Sequence, residues 1–396
     1  MNNVVIKWAR ETAGLTVEDA AHQLGLSSPQ KLTDIESGAT APSRPQLLKM
    51  SKVYHRSLLT FYLEAPPAKS NRGEDFRTLS GEEHSAKDDA LLDVLVRGLK
   101  ARQEMVKSVL ESEEEQDALW FVGKFTKEHS ITAVRESIAA TLDISIEEYR
   151  KKRTPEASFS YLREKAEAAG IFVLLAGNLG SHHTNIPVSL FRGFAIADPV
   201  APFVLINDQD TNTAWSFTLL HELAHIWLGE TGVSGTASEK SIEKFCNEVA
   251  STFLLPRNEL NELPLTDAHS AQEAIELIIA FSKRRLISLK MVAYVAYMNG
   301  LISSTKWQEI NYSITQLLRT DKERLRQSRH KDDSGPSYYV VRRHRIGNAL
   351  INLVERTLSS GALTPVKAAK VLGVKPRGVS TLLHRQGYAE SARSYS

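Results

Sequence analysis

The sequence predicts an α+β fold that is mainly α: an N-terminal five-helix unit, a central region holding a small mixed sheet, and a helical C-terminal region. Three observations point there. Apolar residues recur at helical spacing over most of the 396 residues. Three short runs rich in β-branched and aromatic residues, bounded by turn formers, fall close together between positions 171 and 207. Polar stretches containing Gly and Pro then divide the chain into four parts, 1–66, 67–155, 156–303 and 304–396.

In residues 1–66, Val5, Trp8, Leu15, Val17, Ala20, Ala21 and Leu24 keep the helical period. Thr16 is a good N-cap for a helix ending near Leu24, Gly25 supplies the turn, and a third helix runs from about Ser28 to Ser37. LLKMSKVY (47–54) is a further amphipathic element, and Pro66-Pro67 opens a polar linker. Residues 83–153 read as helical and heavily charged. FSYLREKAEAAG is a helix closed by Gly170. IFVLLA (171–176), LFRGFAIA (190–197) and PFVLIN (202–207) read as strands. WSFTLLHELAHIWLG is apolar nearly all round, which predicts a buried helix. Residues 239–255 form another helix stopped by Pro256, and 274–303 form two helices joined by a turn. Residues 304–335 are a linker or a long exposed helix, and a helical tail covers 344–387.

Composition narrows the function classes. A single cysteine, Cys246, excludes an internal disulfide and a Cys-based metal cluster, and suits a reducing compartment. No run reaches the roughly 18 uninterrupted apolar residues of a membrane span. The chain is therefore expected to be soluble and cytoplasmic, with no membrane partner. Its net charge of +2 hides an uneven distribution: residues 322–396 carry 15 Lys/Arg against 5 Asp/Glu, whereas 71–321 carry 26 against 36. A basic tail beside an acidic middle suits nucleic acid, an acidic surface of the chain itself, or plain solvation.

The sharpest chemistry lies in His221-Glu222-Leu223-Ala224-His225. Helical residues four apart share a face, so both imidazoles can reach one metal ion. Zinc favours such nitrogen ligands and takes three protein ligands plus water in hydrolytic sites. Glu222 points beside that metal, the position of a general base. The third ligand must come from elsewhere, and the helix 239–255 offers Glu243, with Asn247 one turn on to steady a ligand and Ala250 leaving room for close approach. Glu239 and Glu248 compete with Glu243, and Glu248 falls about 140° away on the helix wheel. One zinc ion per chain is the expected cofactor. His182-His183 lie in a polar loop, and Cys246 sits among apolar neighbours as a buried structural thiol. No Ser/His/Asp elbow or Gly-rich phosphate loop appears.

These residues resemble the ImmA/IrrE family of zinc metallopeptidases. The resemblance is carried by His221 to His225, Glu243-x-x-x-Asn247, the LLP at 254–256, and the runs FRGFAIAD (191–198), FVLIND (203–208) and SFTLLHELAHIWLG. ESGATAPS (36–43) and the run ending FYLEAPP (61–67) are similar to an XRE (Cro/CI-type) helix-turn-helix. DFRTL (75–79), SYYVVRRHRIGNAL and GALTPVKAAKVLGVK resemble long fused members.

The resemblance implies a gluzincin-like endopeptidase that controls transcription by cleaving a partner repressor. In that reading Glu222 is the base, and the substrate lies extended along an edge strand at Gly193–Ala197, meeting Gly193, Phe194 and Ala195. The residue that helps stabilise the oxyanion stays open among Tyr338, Tyr339 and the His182-His183 loop. In the N-terminal unit the third helix would enter the major groove, presenting Ser28, Gln30, Lys31, Thr33 and Asp34. The expected partners are thus a protein substrate, DNA through residues 1–66, and a second copy of the chain. The competing reading is a helix-turn-helix regulator or antitoxin-like binding protein that keeps the peptidase fold for sensing or interaction. Segments 274–303 and 364–386 also resemble helix-turn-helix units, with hairpins that pack on the peptidase as the alternative for both.

Overall fold

The computed structural model describes residues 1–67, 85–113, 117–180, 184–231, 237–265, 268, 270–329 and 337–383. The linker 68–84, residues 114–116 of the SEEEQD run, His182-His183 and the end of the tail lie outside them. Chain contacts separate two units, one of Met1–Ala101 with Gly177–Phe191 and Gly232–Ala237, the other of the remainder.

The first unit opens with α1 (Asn3–Glu11), α2 (Val17–Leu24), α3 (Pro29–Ser37) and α4 (Arg44–Val53), followed by a single 3-10 turn over Leu58–Tyr62. The fifth expected helix is that short turn. Side-chain oxygens start the elements: Thr16 accepts from the Asp19 amide, and Ser43 and Gln46 form a reciprocal capping box. Ile6, Ala9, Ala20, Leu24, Leu32, Ile35, Leu47, Met50 and Phe61 make its core. A buried bidentate ion pair ties α1 to α3, with Arg10 Nε and Nη2 donating to the Glu36 carboxylate at 2.7 and 3.0 Å.

Next come α5 (Ala86–Ser112), α6 (Ile131–Leu142), α7 (Ile146–Arg150) and α8 (Pro155–Ala168). Val134, Ile138, Leu142 and Tyr149 of α6 and α7, and the adjoining Ile144, belong to the same core as the sheet. The strands are β1 (Phe172–Leu175), β2 (Gly193–Ile196) and β3 (Phe203–Ile206), in the order β1-β3-β2. β1 runs parallel to β3, and β2 antiparallel to it. The sheet is mixed, with β2 at one edge. All twelve strand residues are buried, which explains why they read as continuous apolar runs and not as alternating ones.

Five helices follow, α9 (Asn212–Leu228), α10 (Ala237–Leu254), α11 (Arg257–Leu260), α12 (Ala271–Arg285) and α13 (Leu289–Met298), then α14 (Ser304–Arg329). α14 packs against α12 and α13, burying Ile310 and Ile314 completely, so this stretch is a long helix anchored at its start and not a linker. The tail comprises α15 (Tyr338–Ile346), α16 (Asn348–Ser359), α17 (Pro365–Leu372), a 3-10 turn at Pro376–Gly378, and α18 (Val379–Leu383). Among the described residues, no helix is long and apolar enough to cross a membrane.

Candidate metal centre

The centre is built on α9, a helix buried on nearly every side because β2, β3, α6 and α8 all pack on it. Trp227 anchors its end. The indole is fully buried, stacks on Phe121 at 4.4 Å between ring centres, and donates from Nε1 to Ser137 Oγ at 3.1 Å. Chain 119–125 caps the same end, with the Gly123 and Phe125 amides donating to the carbonyls of Ile226 and Trp227. The orientation of α9 is thus fixed by packing and by backbone hydrogen bonds together.

On this helix the four-residue spacing brings the Nε2 atoms of His221 and His225 within 3.1 Å of each other. Glu243, on α10, straddles them: one carboxylate oxygen lies 3.2 Å from His221 Nε2, the other 3.2 Å from His225 Nε2. These three side chains are the metal-holding group found among the described residues. Ligand atoms around a tetrahedral zinc ion sit about 3.3 Å apart, given bonds of roughly 2.0–2.1 Å. The three contacts have that length, a different oxygen of Glu243 facing each imidazole, and the two-nitrogen, one-carboxylate donor set fits zinc. Of the competing carboxylates, Glu248 lies within 3.9 Å of Lys244 Nζ, while the side chain of Glu239 falls outside the described residues.

The electrostatics suit a shared cation. Burial pushes the Glu243 carboxyl up, but its hydrogen bonds to His221 and His225 outweigh that and hold it far below the usual carboxylate range. Burial alone would strip the proton from His221; the hydrogen bond to Glu243, the charges of Glu222 and Glu243, and Asn247 reverse the sign and raise its affinity. Asn247 thus bears on His221 from one turn beyond Glu243, and Ala250 on the same helix is fully buried. Glu222 is 6% exposed, and burial raises its carboxyl above the ordinary value. Cys246 is fully buried nearby, with its thiol pushed well up by burial.

One contact could not be read from residue spacing. Gly193, the first residue of β2, lies directly against Glu222. A Cβ there would collide with Glu222 Oε1 and would meet Thr218 Cγ2 at 2.6 Å. Only glycine lets the edge strand approach α9 this closely. Phe194 and Ala195 continue β2, both buried.

The other predicted positions lie elsewhere. On α3, Gln30, Lys31 and Thr33 face solvent while Leu32 and Ile35 face the core; Ser28 occupies the N-cap position without a side-chain capping bond, and Gln30 donates to Asp34 at 2.8 Å. Tyr338 is exposed, and the Tyr339 hydroxyl packs on Gly378 in the tail. Neither is shown at the metal centre.

Residues 166–295, which hold all three ligand candidates, match the model of the IrrE N-terminal-like domain of peptidase M78. The chain carries an IrrE N-terminal-like domain. Residues 4–58 match a helix-turn-helix domain, and no curated protein matches the chain. A DNA-binding, regulator-type domain thus precedes an IrrE N-terminal-like, peptidase-type domain, as the resemblance implied.

Proposed function

We propose that the chain is a zinc-dependent endopeptidase that regulates transcription by cleaving a partner repressor protein. The observation that carries this reading is the convergence of His221, His225 and Glu243 with a buried Glu222 beside them, inside the IrrE N-terminal-like domain. His221, His225 and Glu243 would hold the zinc ion, which supplies Lewis-acid activation of water and of the scissile carbonyl. Glu222 accepts the proton of the attacking water and passes it to the departing amine. Its buried position, with a carboxyl raised above the usual value, favours a group that both takes and returns a proton. A substrate strand lying along the outer side of β2 would meet Gly193, Phe194 and Ala195, a few ångströms from that carboxylate.

A helix-turn-helix at residues 4–58 favours a second reading, in which the chain is chiefly a DNA-binding regulator and the peptidase-type domain senses a partner. One substitution separates the two. Glu222→Gln should abolish cleavage of a proteome-derived peptide library, read by mass spectrometry, while zinc stays bound. Turnover that persists in this variant rules out the assigned base; no turnover even in the wild-type chain favours the sensing role.

A further inference from the structure

The tail repeats the architecture of the first unit. In TVEDAAHQLGL (16–26) and TPVKAAKVLGV (364–374), the Thr, both Ala, the Leu and the Gly coincide. The structures coincide as well. Thr16 and Thr364 each cap their helix by accepting from the amide three residues on. Ala20-Ala21 and Ala368-Ala369 are all buried, the small residues that let a following helix cross closely. Gly25 and Gly373 end their helices in the same left-handed conformation, φ 66° ψ 34° and φ 60° ψ 39°. The next amide bonds back in each, Leu26 to the Ala21 carbonyl and Val374 to the Ala369 carbonyl, both at 2.9 Å. A four-residue turn then leads to α3, and a three-residue turn to the helical segment Pro376–Leu383. Those are the turn lengths of a helix-turn-helix.

The two copies differ in charge. Residues 17–37 hold Lys31 against Glu18, Asp19, Asp34 and Glu36. Residues 365–383 hold Lys367, Lys370, Lys375 and Arg377 with no carboxylate at all. All four cations are exposed, as are Ser380 and Thr381 on the outer face of the last helix. The inner face of that helix is occupied. Val379, Leu382 and Leu383 are buried, the Tyr339 hydroxyl packs on Gly378, and Arg343 donates to the Leu382 carbonyl at 3.0 Å. The tail is held to its own unit through α15 and α16: Arg163 donates to the His344 carbonyl, and Glu167 accepts from the Asn348 and Ala349 amides. Among the described residues, packing on the peptidase-type core leaves the cationic face of α17 and Pro376–Leu383 exposed.

We propose that α16, α17 and Pro376–Leu383 form a second helix-turn-helix that binds duplex DNA, with Lys370, Lys375 and Arg377 on the phosphates and Ser380 and Thr381 facing the major groove. Phosphate neutralisation supplies most of the sequence-independent affinity of such units. This copy has the charge for it, whereas in the N-terminal copy Glu18, Asp19 and Asp34 oppose it, Glu36 being paired with Arg10. The chain would then grip DNA at both ends, the tail providing the electrostatic share.

The test uses the full chain and a fluorescein-labelled 30-base-pair duplex of mixed sequence, with binding followed by anisotropy between 50 and 200 mM salt. Lys375→Ala/Arg377→Ala should weaken binding about tenfold or more and lower the salt slope by about 2. Lys375→Arg/Arg377→Lys should restore both, and Lys31→Ala should change the slope by no more than about 1. Wild-type affinity and slope in the double alanine variant would overturn the proposal, as would a wild-type chain that binds no duplex. Zinc content and cleavage should be unaffected by these surface changes, so failure of the peptidase reading is scored separately.

Discussion

Gly193→Ala probes the approach of the edge strand to the proposed base. The added methyl would sit 2.6 Å from Thr218 Cγ2, about 0.8 Å inside ordinary contact, and would collide with the Glu222 carboxylate. Both neighbours are hemmed in, Thr218 and Glu222 each being 6% exposed on a helix packed on nearly every side. Overpacking of this kind costs about 1–3 kcal/mol. For a unit of this size that corresponds to roughly 4–8 °C in the thermal transition at the middle of the range. Displacing Glu222 by the order of 1 Å should lower peptide cleavage about 100-fold. Zinc content should stay at one per chain, because the ligands belong to other positions. Adding Thr218→Ser, which removes the Cγ2 methyl, should recover part of the lost stability but little of the cleavage. Circular dichroism, metal analysis by mass spectrometry and the peptide-library assay read the three quantities. A Gly193→Ala chain that melts and cleaves like the wild type would refute the argument.

Three further outcomes follow from polar groups that packing or ion pairing holds in place. Arg10→Ala strands the Glu36 carboxylate inside the N-terminal unit, and should destabilise that unit by about 3–5 kcal/mol in urea unfolding; a loss under about 1 kcal/mol would show the pair to be solvated. Burial pushes the Asp198 carboxyl up, but Lys107 at 2.7 Å and the Val200 and Ala201 amides at 2.9 Å hold it below its ordinary value of 3.8. A depressed folded value adds stability above pH 3.8 that disappears as pH falls through it, so the wild type should exceed Asp198→Asn in stability at pH 7 and lose that margin at acid pH. A margin that does not change with pH would contradict this. Cys246 should resist alkylation in the folded chain and react once denatured, since its thiol is buried and held protonated; rapid labelling of native protein would place it at the surface.

The helices and strands were legible because their signals are local. Thr16, Ser43, Ser270 and Ser288 each cap a helix start, Pro256 stops α10, and three apolar runs gave the three strands. The chain positions of the ligand candidates were equally visible, since i, i+4 spacing on α9 and one facing carboxylate on α10 need only helical geometry. Long-range apposition was not visible. Nothing near Gly193 in the sequence signals the Glu222 carboxylate, and the Arg10–Glu36 pair joins residues 26 apart that look like surface charges. The stretch from 304 read as polar because only one face of α14 is apolar, and Ile310 and Ile314 lie on it. The second turn motif in the tail was readable as a pattern, but which of its faces stays open depends on α15 and α16.

The most direct measurement is the metal content of purified full-length chain, with the coordination shell read by X-ray absorption, for wild type and Glu243→Ala. One zinc per chain, bound to two imidazoles and a carboxylate, and its loss or marked weakening in the variant, is the expected result. A wild-type chain without stoichiometric zinc, or a Glu243→Ala chain that keeps zinc at full affinity, would contradict the metal centre on which the hydrolase reading stands.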